Sequence, residues 1–548
     1  MSIASRLVLH DVAWERVQLI VRARIADEPD GPFDPEALRL RQVSGDIDPG
    51  TLPTEMLPTR TRRTDDVLTV HWNVMTGGPD QMPLEPGRWR LEWHGSPVPV
   101  HVTDASILDP ARSAARFDLA RGTYRATPTT NADGTFDLEV SLDLADPAEL
   151  ARRRPGNPTV RLVKRSISRI RKTVFRLTYR VARLVVRLTP GRRANRRVVF
   201  ASDSRAELGG NLQVVHDRMV ARGLDHTNDL LTLFRASITE HRSVRDRFRM
   251  PWLLATADVI LVDDYIPVIY RLDDPDLRII QLWHASGAFK TVGYSRVGKP
   301  GGPSPYSRIH KNYTHAIVSS DHDVPFYAEA FGIPESRVVP TGIPRMDRFF
   351  DETARAEGRE AALAAFPMAR GRTTILFAPT FRGETPRTAT YDAALIDYAA
   401  LHALAVEKDA VVIFKMHPFV REPLAIPEAL GDRLVDGTTT AIDVNDLLFV
   451  VDLLITDYSS IVFEFSTLGR PMLFFAYDLE AYVAERDFYV PFEAFVPGRI
   501  VRTFPDLLDA IRRDDYEQDK VDAFAHRHFA HLDGSSTDRV IDELVIGR

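Results

Sequence analysis

The chain of 548 residues contains no cysteine. This absence excludes disulfide bonds, cysteine nucleophiles and thiolate metal sites, and it fits a reducing cytoplasm. The sequence also lacks any run of about 18 apolar residues, so we expect no transmembrane helix. Its first residues, MSIASR, lack the apolar core of a signal peptide. No paired-aspartate motif and no His/carboxylate ligand spacing stands out, so we predict neither a metal nor a cofactor.

Acidic residues are absent between Ala151 and Arg197, a stretch that holds 17 basic residues. The whole chain has a net charge of −6, so the remaining residues sum to −23 once these 17 charges are removed. Such an uneven charge predicts a basic element that meets an anionic partner, either a membrane or a nucleic acid.

The basic segment, residues 151–196, also carries a regular apolar stripe. Its members alternate between three- and four-residue spacing, which places them along one face of a helix of about 30 residues, roughly 45 Å long. They are Val160, Val163, Ile167, Ile170, Val174, Leu177, Val181, Leu184 and Leu188. Basic residues occupy the other faces, among them Arg165, Arg169, Lys172, Arg176 and Arg180.

Several partners of this helix are conceivable. A coiled coil fits the spacing, but flanks of one sign would repel each other in a homodimer. A nucleic-acid arm uses the charge but gives the stripe no role. An interfacial helix on anionic lipid uses both, so we expect a membrane surface as partner and no nucleic acid. The structural alternative is a stripe that packs on the protein's own core beneath a solvated basic face.

The regions on either side of this segment differ in their strand pattern. Residues 1–150 contain partly alternating runs, such as Val67–Trp72 and Phe136–Leu142, which predict a β-sandwich-like accessory domain. From residue 197 onwards strands alternate with helices, and a second series of this kind begins near Thr373. Such alternation predicts two α/β domains of Rossmann type, 197–345 and 346–548, whose parallel sheets face a cleft.

Polar residues follow the predicted strands of the first α/β domain, at the sheet edge where ligands bind. His284 lies at the end of the strand Ile279–Trp283, where it can act as a general base. The turn Ser286–Gly287 allows the backbone to approach an acceptor or a phosphate, and Lys290 follows it. A structural histidine is the alternative for His284 taken alone.

The second α/β domain has similar residues. Thr380 and Arg382 follow its first strand and offer a hydroxyl and a planar cation suited to phosphate. Lys415 and His417 follow another strand, and Pro418 restricts the backbone before it, so His417 can be held against a bridging phosphate oxygen. A solvated arginine and a satisfied loop histidine are the alternatives.

A hydroxyl-rich turn, residues 456–464 (TDYSSIVFE), opens an apolar helix that we predict to end at Gly469. Asp457 is placed to cap this helix, Ser459 and Ser460 to add hydroxyls to an anion at its start, and Glu464 to reach a ribose hydroxyl. Together with the loops described above, the turn predicts a site for a pyrophosphate-bearing activated donor. Cationic side chains can neutralise its leaving group without a metal.

These motifs occur in a fixed order: Trp283-His284, 378–382 (APTFR), His417-Pro418, 456–460 (TDYSS) with Glu464, 486–489 (RDFY) and 496–498 (VPG). As an ordered set they resemble the CDP-glycerol glycerophosphotransferase family, the teichoic-acid primases and polymerases, over roughly residues 197–545. The resemblance implies a GT-B fold at the cytoplasmic face of the membrane. It further implies transfer of glycerol- or ribitol-phosphate from a CDP-activated donor to a lipid-linked glycan or polymer, with release of CMP.

The resemblance also implies roles for individual residues. His284 would deprotonate the acceptor hydroxyl and His417 would contact the donor pyrophosphate, while Ser286, Gly287 and Lys290 would lie on the acceptor side. The donor-binding residues would be Thr380, Arg382, Lys415, Asp457, Ser459, Ser460 and Glu464.

This chain departs from the family in two places. It has WHASG at 283–287 where the family often has WHGTP, and Phe381 where the family often has Trp. The first difference leaves the acceptor open. Two other functions stay open as well: a GT-B glycosyltransferase that uses a nucleotide sugar, and a non-catalytic, membrane-bound scaffold that binds a polymer.

Overall fold

The computed structural model describes residues 7–547, except for 26–33, 35–36, 46–53, 99, 147–157, 189–194, 238–239, 241–242, 273 and 384–386. Within this described part the chain forms four β-sheets, two before the long basic helix and two after it. The first two sheets consist mainly of antiparallel strands, whereas the last two are parallel.

The two N-terminal sheets bury their apolar side chains in one shared core that includes Trp72, Trp89 and Tyr124. In spatial order, the first sheet consists of Arg60–Thr64 (β5), Val67–Asn73 (β6), Gln18–Ile25 (β2), Leu7–Glu15 (β1) and Val100–Val102 (β9). The second consists of Ala115–Leu119 (β10), Gly122–Thr130 (β11), Phe136–Leu144 (β12), Gly87–Trp93 (β7), Leu38–Gly45 (β3) and Glu55–Met56 (β4), with Ser96–Pro97 (β8) beside β7. A short helix, Pro110–Ser113 (α1), precedes β10.

The N-terminal sheets are docked on the first α/β domain. Tyr294 and Val297 of that domain are buried in the core of the two sheets. Arg16 Nε lies 2.6 Å from the buried carboxylate oxygen Glu329 Oε1. Such a pair is held in place because an unpaired buried charge would be costly. The β region is therefore packed against the part of the chain that carries His284.

The basic segment forms one helix of 31 residues, Pro158–Leu188 (α2). It is followed by the first parallel sheet, with the spatial order Asn228–Phe234 (β14), Arg196–Ser202 (β13), Val259–Val262 (β15), Arg278–Gln281 (β16), His315–Ile317 (β17) and Val338–Val339 (β18). The accompanying helices are Gly210–Ala221 (α3), Val244–Ala255 (α4) and Val324–Phe331 (α5). Every residue of β15 is buried, as expected for a parallel strand covered on both faces.

Helix Glu352–Ala365 (α6) leads into the second parallel sheet. Its spatial order is Leu434–Asp436 (β21), Ala410–Phe414 (β20), Thr373–Phe377 (β19), Leu453–Thr456 (β22), Met472–Phe475 (β23) and Arg499–Val501 (β24). Its helices are Tyr398–Glu407 (α7), Val444–Leu448 (α8), Ile461–Ser466 (α9), Leu479–Glu485 (α10), Phe492–Phe495 (α11) and Phe504–Arg512 (α12). The strand order reverses between β19 and β22, and ligands of such sheets bind at this reversal.

The end of the chain returns to the first α/β domain. Asp519–His528 (α13) and Ser536–Arg539 (α14) are followed by a π-helical turn, Val540–Ile546. Asp538 and Asp542 pair there with Arg218 and Arg222 at the end of α3. The last residues of the predicted 346–548 domain thus pack on its neighbour, and the two domains are joined at both ends of the second one.

Candidate active site

One buried carboxylate ties together the loops at the reversal between β19 and β22. Asp457, directly after β22, accepts hydrogen bonds from the backbone nitrogen of Thr380 (2.7 Å) and from its hydroxyl (2.8 Å). It also accepts one from the nitrogen of Tyr458. Helix α9 begins after Ser460 without a side-chain cap, so the prediction that Asp457 caps it is wrong. The neighbouring strand end supplies closer donors, and Asp457 holds that loop instead.

Arg382 is engaged by two carboxylates. Its Nε and Nη2 atoms donate to Asp478 at 2.6 and 2.9 Å, and Nη1 donates to Asp457 at 3.0 Å. Burial by itself would lower the pKa of Arg382, but the carboxylates of Asp478 and Asp457 outweigh it and raise that pKa. The guanidinium is also surrounded by the rings of Tyr391, Tyr458, Tyr477 and Tyr482. Arg382 therefore holds together the loops that follow β19, β22 and β23.

Lys415 has a similar supporting position. Its ammonium donates to the carbonyl oxygens of Gly437 (2.8 Å) and Thr440 (2.9 Å) and to the Thr440 hydroxyl (3.1 Å). These three acceptors use all the donors of a lysine. Burial lowers the pKa of Lys415. Lys415, which was predicted to bind the CDP-activated donor, therefore uses its hydrogen bonds to fix the 437–440 loop beside His417.

His417 presents its Nε2 atom away from the backbone. Its Nδ1 atom accepts a hydrogen bond from the nitrogen of Phe419 at 3.2 Å, so the proton of the neutral ring is on Nε2. Burial, followed by the positive charge of Lys290, lowers the pKa of His417. The ring lies between Phe381 and Phe419, with centroid distances of 4.7 and 4.6 Å. His417 is therefore a neutral N–H donor held in a fixed orientation.

The hydroxyl-rich turn opens a shorter helix than the sequence predicts. Helix α9 contains six residues and ends at Ser466 instead of Gly469. Few aligned peptides contribute to its dipole, so the dipole adds little to anion binding. The Ser459 hydroxyl oxygen accepts a hydrogen bond from Ile461 at 3.3 Å, and Ser460 is exposed. The hydroxyls, and not the helix, are the polar groups that this turn offers.

Glu464 was predicted to bind the donor and Ser286 to lie on the acceptor side, but in the structure their side chains bind each other. The Ser286 hydroxyl donates to Glu464 Oε1 at 2.7 Å, and Arg345 Nη2 donates to the Ser286 oxygen at 3.0 Å. Arg345 and Glu464 also form an ion pair. Ser286 and Arg345 belong to the first α/β domain and Glu464 to the second. These side chains form a buried polar link between the domains, which competes with the predicted ribose and acceptor contacts.

Gly287 lies where the second domain approaches most closely. A Cβ atom at this position would stand 2.2–2.8 Å from ring atoms of Phe463, far inside van der Waals contact. Phe463 is completely buried, so the ring cannot move aside. The position therefore requires glycine for packing between the domains.

Replacing Gly287 by alanine is expected to destabilise the protein by about 1–3 kcal/mol, because the added methyl group overpacks the interface. Thermal unfolding would show a lower midpoint than wild type. Gly431→Ala is the matched control, since its backbone is α-helical (φ −68°) and its Cβ would meet one atom at 3.2 Å. Equal midpoints for Gly287→Ala and the control would contradict the packing role.

Lys290 reaches the second domain instead of the acceptor side. Its backbone pairs with Phe488, and its Nζ atom lies 5.3 Å from the ring centroid of Tyr482. Burial lowers the pKa of Lys290 to about 8, with Arg486 and Arg382 acting in the same direction and Asp457 against it. Within the described part of the chain, no carboxylate pairs with its ammonium. The Lys290 ammonium is thus a cation that the Asp457 carboxylate influences without forming an ion pair with it.

His284 is exposed and held by a strained turn. Trp283 has a positive φ of 51°, which is unusual for a bulky residue and turns the chain sharply after β16. The buried side chains of Asn211 and Gln281 hold this peptide: Asn211 donates to the Trp283 oxygen (2.8 Å), and Gln281 accepts from its nitrogen (2.9 Å). His284 Nδ1 lies 3.4 Å from the Asp263 carbonyl oxygen. Because a carbonyl only accepts, Nδ1 carries the proton and Nε2 is free to take one.

The apolar stripe of α2 faces away from the protein. Val174, Leu177, Val181 and Leu184 are 47%, 64%, 51% and 56% exposed. Helix α2 is attached by its other side, where Phe175, Tyr179 and Ala182 are buried in the same core as α4. The alternative in which the stripe packs on the protein's own core is therefore wrong.

The predicted membrane-contacting cations lie along the same helix. Arg169, Lys172, Arg176 and Arg180 are exposed, while the side chain of Arg165 is outside the described residues. In the described part of the chain, no helix is both long and apolar enough to span a membrane.

The model of the CDP-glycerol:poly(glycerophosphate) glycerophosphotransferase family matches residues 183–546, a range that holds nearly all of both α/β domains and every candidate catalytic, donor-side and acceptor-side residue. The chain belongs to this glycerophosphotransferase family. The ordered motifs thus predicted the correct family. The match begins within α2, so the N-terminal sheets lie outside it.

Individual relatives of this chain are named as polymerases and primases of teichoic acid. The teichoic acid ribitol-phosphate polymerase TarK of Staphylococcus aureus (strain NCTC 8325 / PS 47) is 48% identical over 348 residues, which are 63% of this chain and 68% of the relative. The teichoic acid glycerol-phosphate primase of Bacillus subtilis (strain 168) is 26% identical over 53% of this chain and 74% of the relative. This chain spans from 60% to 68% of the length of the first three relatives.

The solved structure of the wall teichoic acid polymerase TagF shares the fold of this chain. The TM-score is 0.52 at 20% identity, over 71% of this chain and 97% of TagF. This likeness supports the α/β, GT-B-like part of the fold prediction.

Several residues that build the candidate site were not predicted from the sequence. Tyr477 and Asp478 lie two and three residues after the last residue of β23, so the rule used for the other loops could have found them. Asn211 and Arg345 had no such signal, because each acts on a loop that is distant in sequence. The same holds for a buried cluster of His322, Asp323 and His528, whose potential metal-ligand atoms lie within 4.8 Å of one another.

Proposed function

We propose that this chain transfers a polyol phosphate from a CDP-activated donor to a hydroxyl group of a lipid-linked glycan or teichoic-acid-like polymer, with release of CMP. The observation that carries the proposal is the course of the loop after β16. Its first end bears His284 with an open Nε2 atom, and its other end bears Lys290, whose charge acts on His417 and Asp457 of the second domain. A base at one end of this loop and a group of polar side chains at the other suit transfer between two bound substrates. We call this group the phosphate-side cluster; it consists of Lys290, His417, Ser459 and Ser460.

In the proposed reaction the acceptor hydroxyl oxygen attacks the β-phosphorus of the donor, in line with the bond to the bridging oxygen. The new P–O bond forms as the old one breaks, and CMP leaves with the bridging oxygen. His284 Nε2 takes the hydroxyl proton. The Nε2–H group of His417 hydrogen-bonds the leaving oxygen, and the Lys290 ammonium balances its negative charge.

The donor residues act in two ways under this proposal. Ser459, Ser460, His417 and Lys290 offer polar atoms to the phosphates. The loops that carry them are held by buried hydrogen bonds, and the residues that make these bonds are Thr380, Arg382, Lys415 and Asp457. Such support is what keeps a site pre-organised before substrate binds.

Ribitol phosphate is the polyol that we propose. Among the relatives reported above, the ribitol-phosphate polymerase is 48% identical and the glycerol-phosphate primase is 26% identical. The difference in identity favours CDP-ribitol over CDP-glycerol as donor.

Product analysis with several donors tests this function. Purified protein would be incubated with a lipid-linked acceptor and, separately, CDP-ribitol, CDP-glycerol, a UDP-sugar and a GDP-sugar. We expect CMP release from a CDP-polyol, with CDP-ribitol preferred, and none from the sugars. Release of UDP or GDP alone would establish the glycosyltransferase alternative, and release from no donor would favour the scaffold.

The acceptor is the reason to expect this protein at the membrane. We propose that α2 lies on the cytoplasmic face, with its exposed apolar stripe in the acyl boundary, and that the positive charge of the helix attracts it to the anionic membrane surface. The helix is fixed to the domain that carries His284, so it would hold the base near lipid-linked acceptors.

Polar substitution of the stripe is expected to release the protein from anionic vesicles. The variant replaces four exposed residues by glutamine: Val174, Leu177, Val181 and Leu184. Because each buries apolar surface in the bilayer, partitioning into phosphatidylglycerol vesicles should fall by more than about tenfold in a sedimentation assay.

The control variant makes the same change at four exposed apolar residues elsewhere: Val220, Val406, Val483 and Leu532. It should sediment like wild type. If both variants sediment equally well, α2 is not the membrane contact.

A further inference from the structure

We infer that a basic cavity beside α2 binds a phosphodiester segment of the acceptor chain. This cavity, of about 550 Å³, lies between α2 and the first α/β domain. Its lining residues are Lys172, Phe175, Arg176, Tyr179, Arg180, Tyr270 and Arg308. Four of the seven are cations and none is an acid. The inference rests on the proposed function, because it concerns the acceptor of that reaction.

The cations of the basic cavity lack counter-charges. In the part of the chain that the structure describes, Lys172, Arg176, Arg180 and Arg308 form no ion pair with a carboxylate. By contrast Arg183, on the same helix, pairs with Asp274. Cations gathered around one cavity repel one another, and this repulsion is relieved when an anion binds between them. Guanidinium groups in particular bind phosphate oxygens in pairs.

The position of the basic cavity on α2 selects the kind of anion. Its helical lining residues lie about half a turn away from Val174, Leu177 and Val181 of the exposed stripe. A helix with its side chains is about 10 Å thick. If the stripe enters the acyl boundary, the cavity opens on the far side of the helix. It therefore suits a phosphate chain that extends away from the membrane better than the headgroup of a neighbouring phospholipid.

Ring contacts connect the basic cavity with the proposed base. Tyr270 stacks on Tyr265 (6.4 Å between centroids), which contacts His310 (5.6 Å). His310 contacts Trp283 (6.1 Å), whose ring stacks on His284 (4.3 Å). A continuous series of ring contacts through the protein interior therefore connects the basic cavity with His284.

A second cavity, of about 350 Å³, shares Tyr270 and Arg308 with the first and adds Lys311 and Arg337. Together the two cavities are lined by six cations and one acid, Asp80, so the second offers further positions for phosphates of the same chain.

The test removes three charges from the basic cavity in the full-length protein, as Arg176→Gln/Arg180→Gln/Arg308→Gln. The control removes three exposed arginines outside it, as Arg169→Gln/Arg171→Gln/Arg249→Gln. Binding of a soluble ribitol-phosphate oligomer would be measured by calorimetry without any donor. We expect about 100-fold weaker binding for the cavity variant and less than about threefold for the control.

Two further measurements separate the sources of phosphate. With CDP-ribitol as donor, the cavity variant should show a raised acceptor KM and an unchanged donor KM. Sedimentation with phosphatidylglycerol vesicles should be equal for the two variants. Weaker vesicle binding of the cavity variant with normal oligomer binding would assign the cavity to phospholipid and overturn the inference, as would equal oligomer binding by both variants. The oligomer measurement needs no turnover, so it stands apart from any failure of the proposed reaction.

Discussion

Replacing His284 by alanine is expected to lower turnover by about one hundred- to ten-thousand-fold at saturating donor and acceptor, because the reaction loses its general base. The ring is oriented by its Nδ1 contact with the Asp263 carbonyl oxygen and lies outside the phosphate-side cluster. Binding of the CDP donor should therefore survive, and calorimetry with donor alone measures it. CMP release with acceptor present measures turnover.

His226→Ala is the matched control for this experiment. His226 is an exposed histidine in the same domain, in a short turn before β14. It should retain wild-type turnover. If His284→Ala also keeps its activity, His284 is not the base; if it loses donor binding along with activity, the residue belongs to the donor site.

The value of kcat/KM for the donor should fall above pH about 8, because Lys290 loses its proton there. Burial lowers the pKa of Lys290 to about 8, so the ammonium that we propose to bind the donor phosphates loses its proton as the pH rises through that value. The protonated form binds the donor, and the fall is therefore on the alkaline side. The fall should be seen in kcat/KM for the donor, because this parameter reports the titration of groups in the free enzyme.

Two substitutions at Lys290 sharpen this prediction. Arginine stays charged at all accessible pH values, so Lys290→Arg should remove the alkaline fall. Methionine removes the charge, and Lys290→Met should lower kcat/KM for the donor by about 10- to 100-fold, with no dependence on this group. Lys299→Met, which removes an exposed lysine paired with Asp487, should behave like wild type. An alkaline fall that persists in Lys290→Arg would contradict the assignment.

Periodicity predicted the regular elements well because it reports local burial. The predicted strands Val67–Trp72 and Phe136–Leu142 correspond to β6, Val67–Asn73, and β12, Phe136–Leu144. The stripe that starts at Val160 lies in a helix that ends at Leu188. The helix after Ser460 is shorter than its apolar composition suggested, because Ser466 and Thr467 bond back to carbonyl oxygens in a terminal turn. Loop chemistry decided its end.

Side-chain partners were predicted less well than positions. The strand-end rule brought Thr380, Arg382 and Asp457 together, as the parallel sheet requires. The rule did not reveal that Arg382 donates hydrogen bonds to Asp478, or that Glu464 pairs with Ser286 across the domain boundary. Asp478 lies in the same domain as Arg382, after a strand end to which the rule was not applied. The contact between Glu464 and Ser286 depends on how the two domains dock, which no local pattern encodes. The reach of Lys290 into the second domain was missed for the same reason.

The most direct test of the account is the stoichiometry of one reaction. Purified protein, CDP-ribitol and a lipid-linked acceptor would be combined, and CMP release and acceptor mass followed together. We expect one CMP for each ribitol phosphate added to the acceptor, and neither CMP nor extended acceptor with His284→Ala. Release of a nucleoside diphosphate, or CMP release without growth of the acceptor, would contradict it.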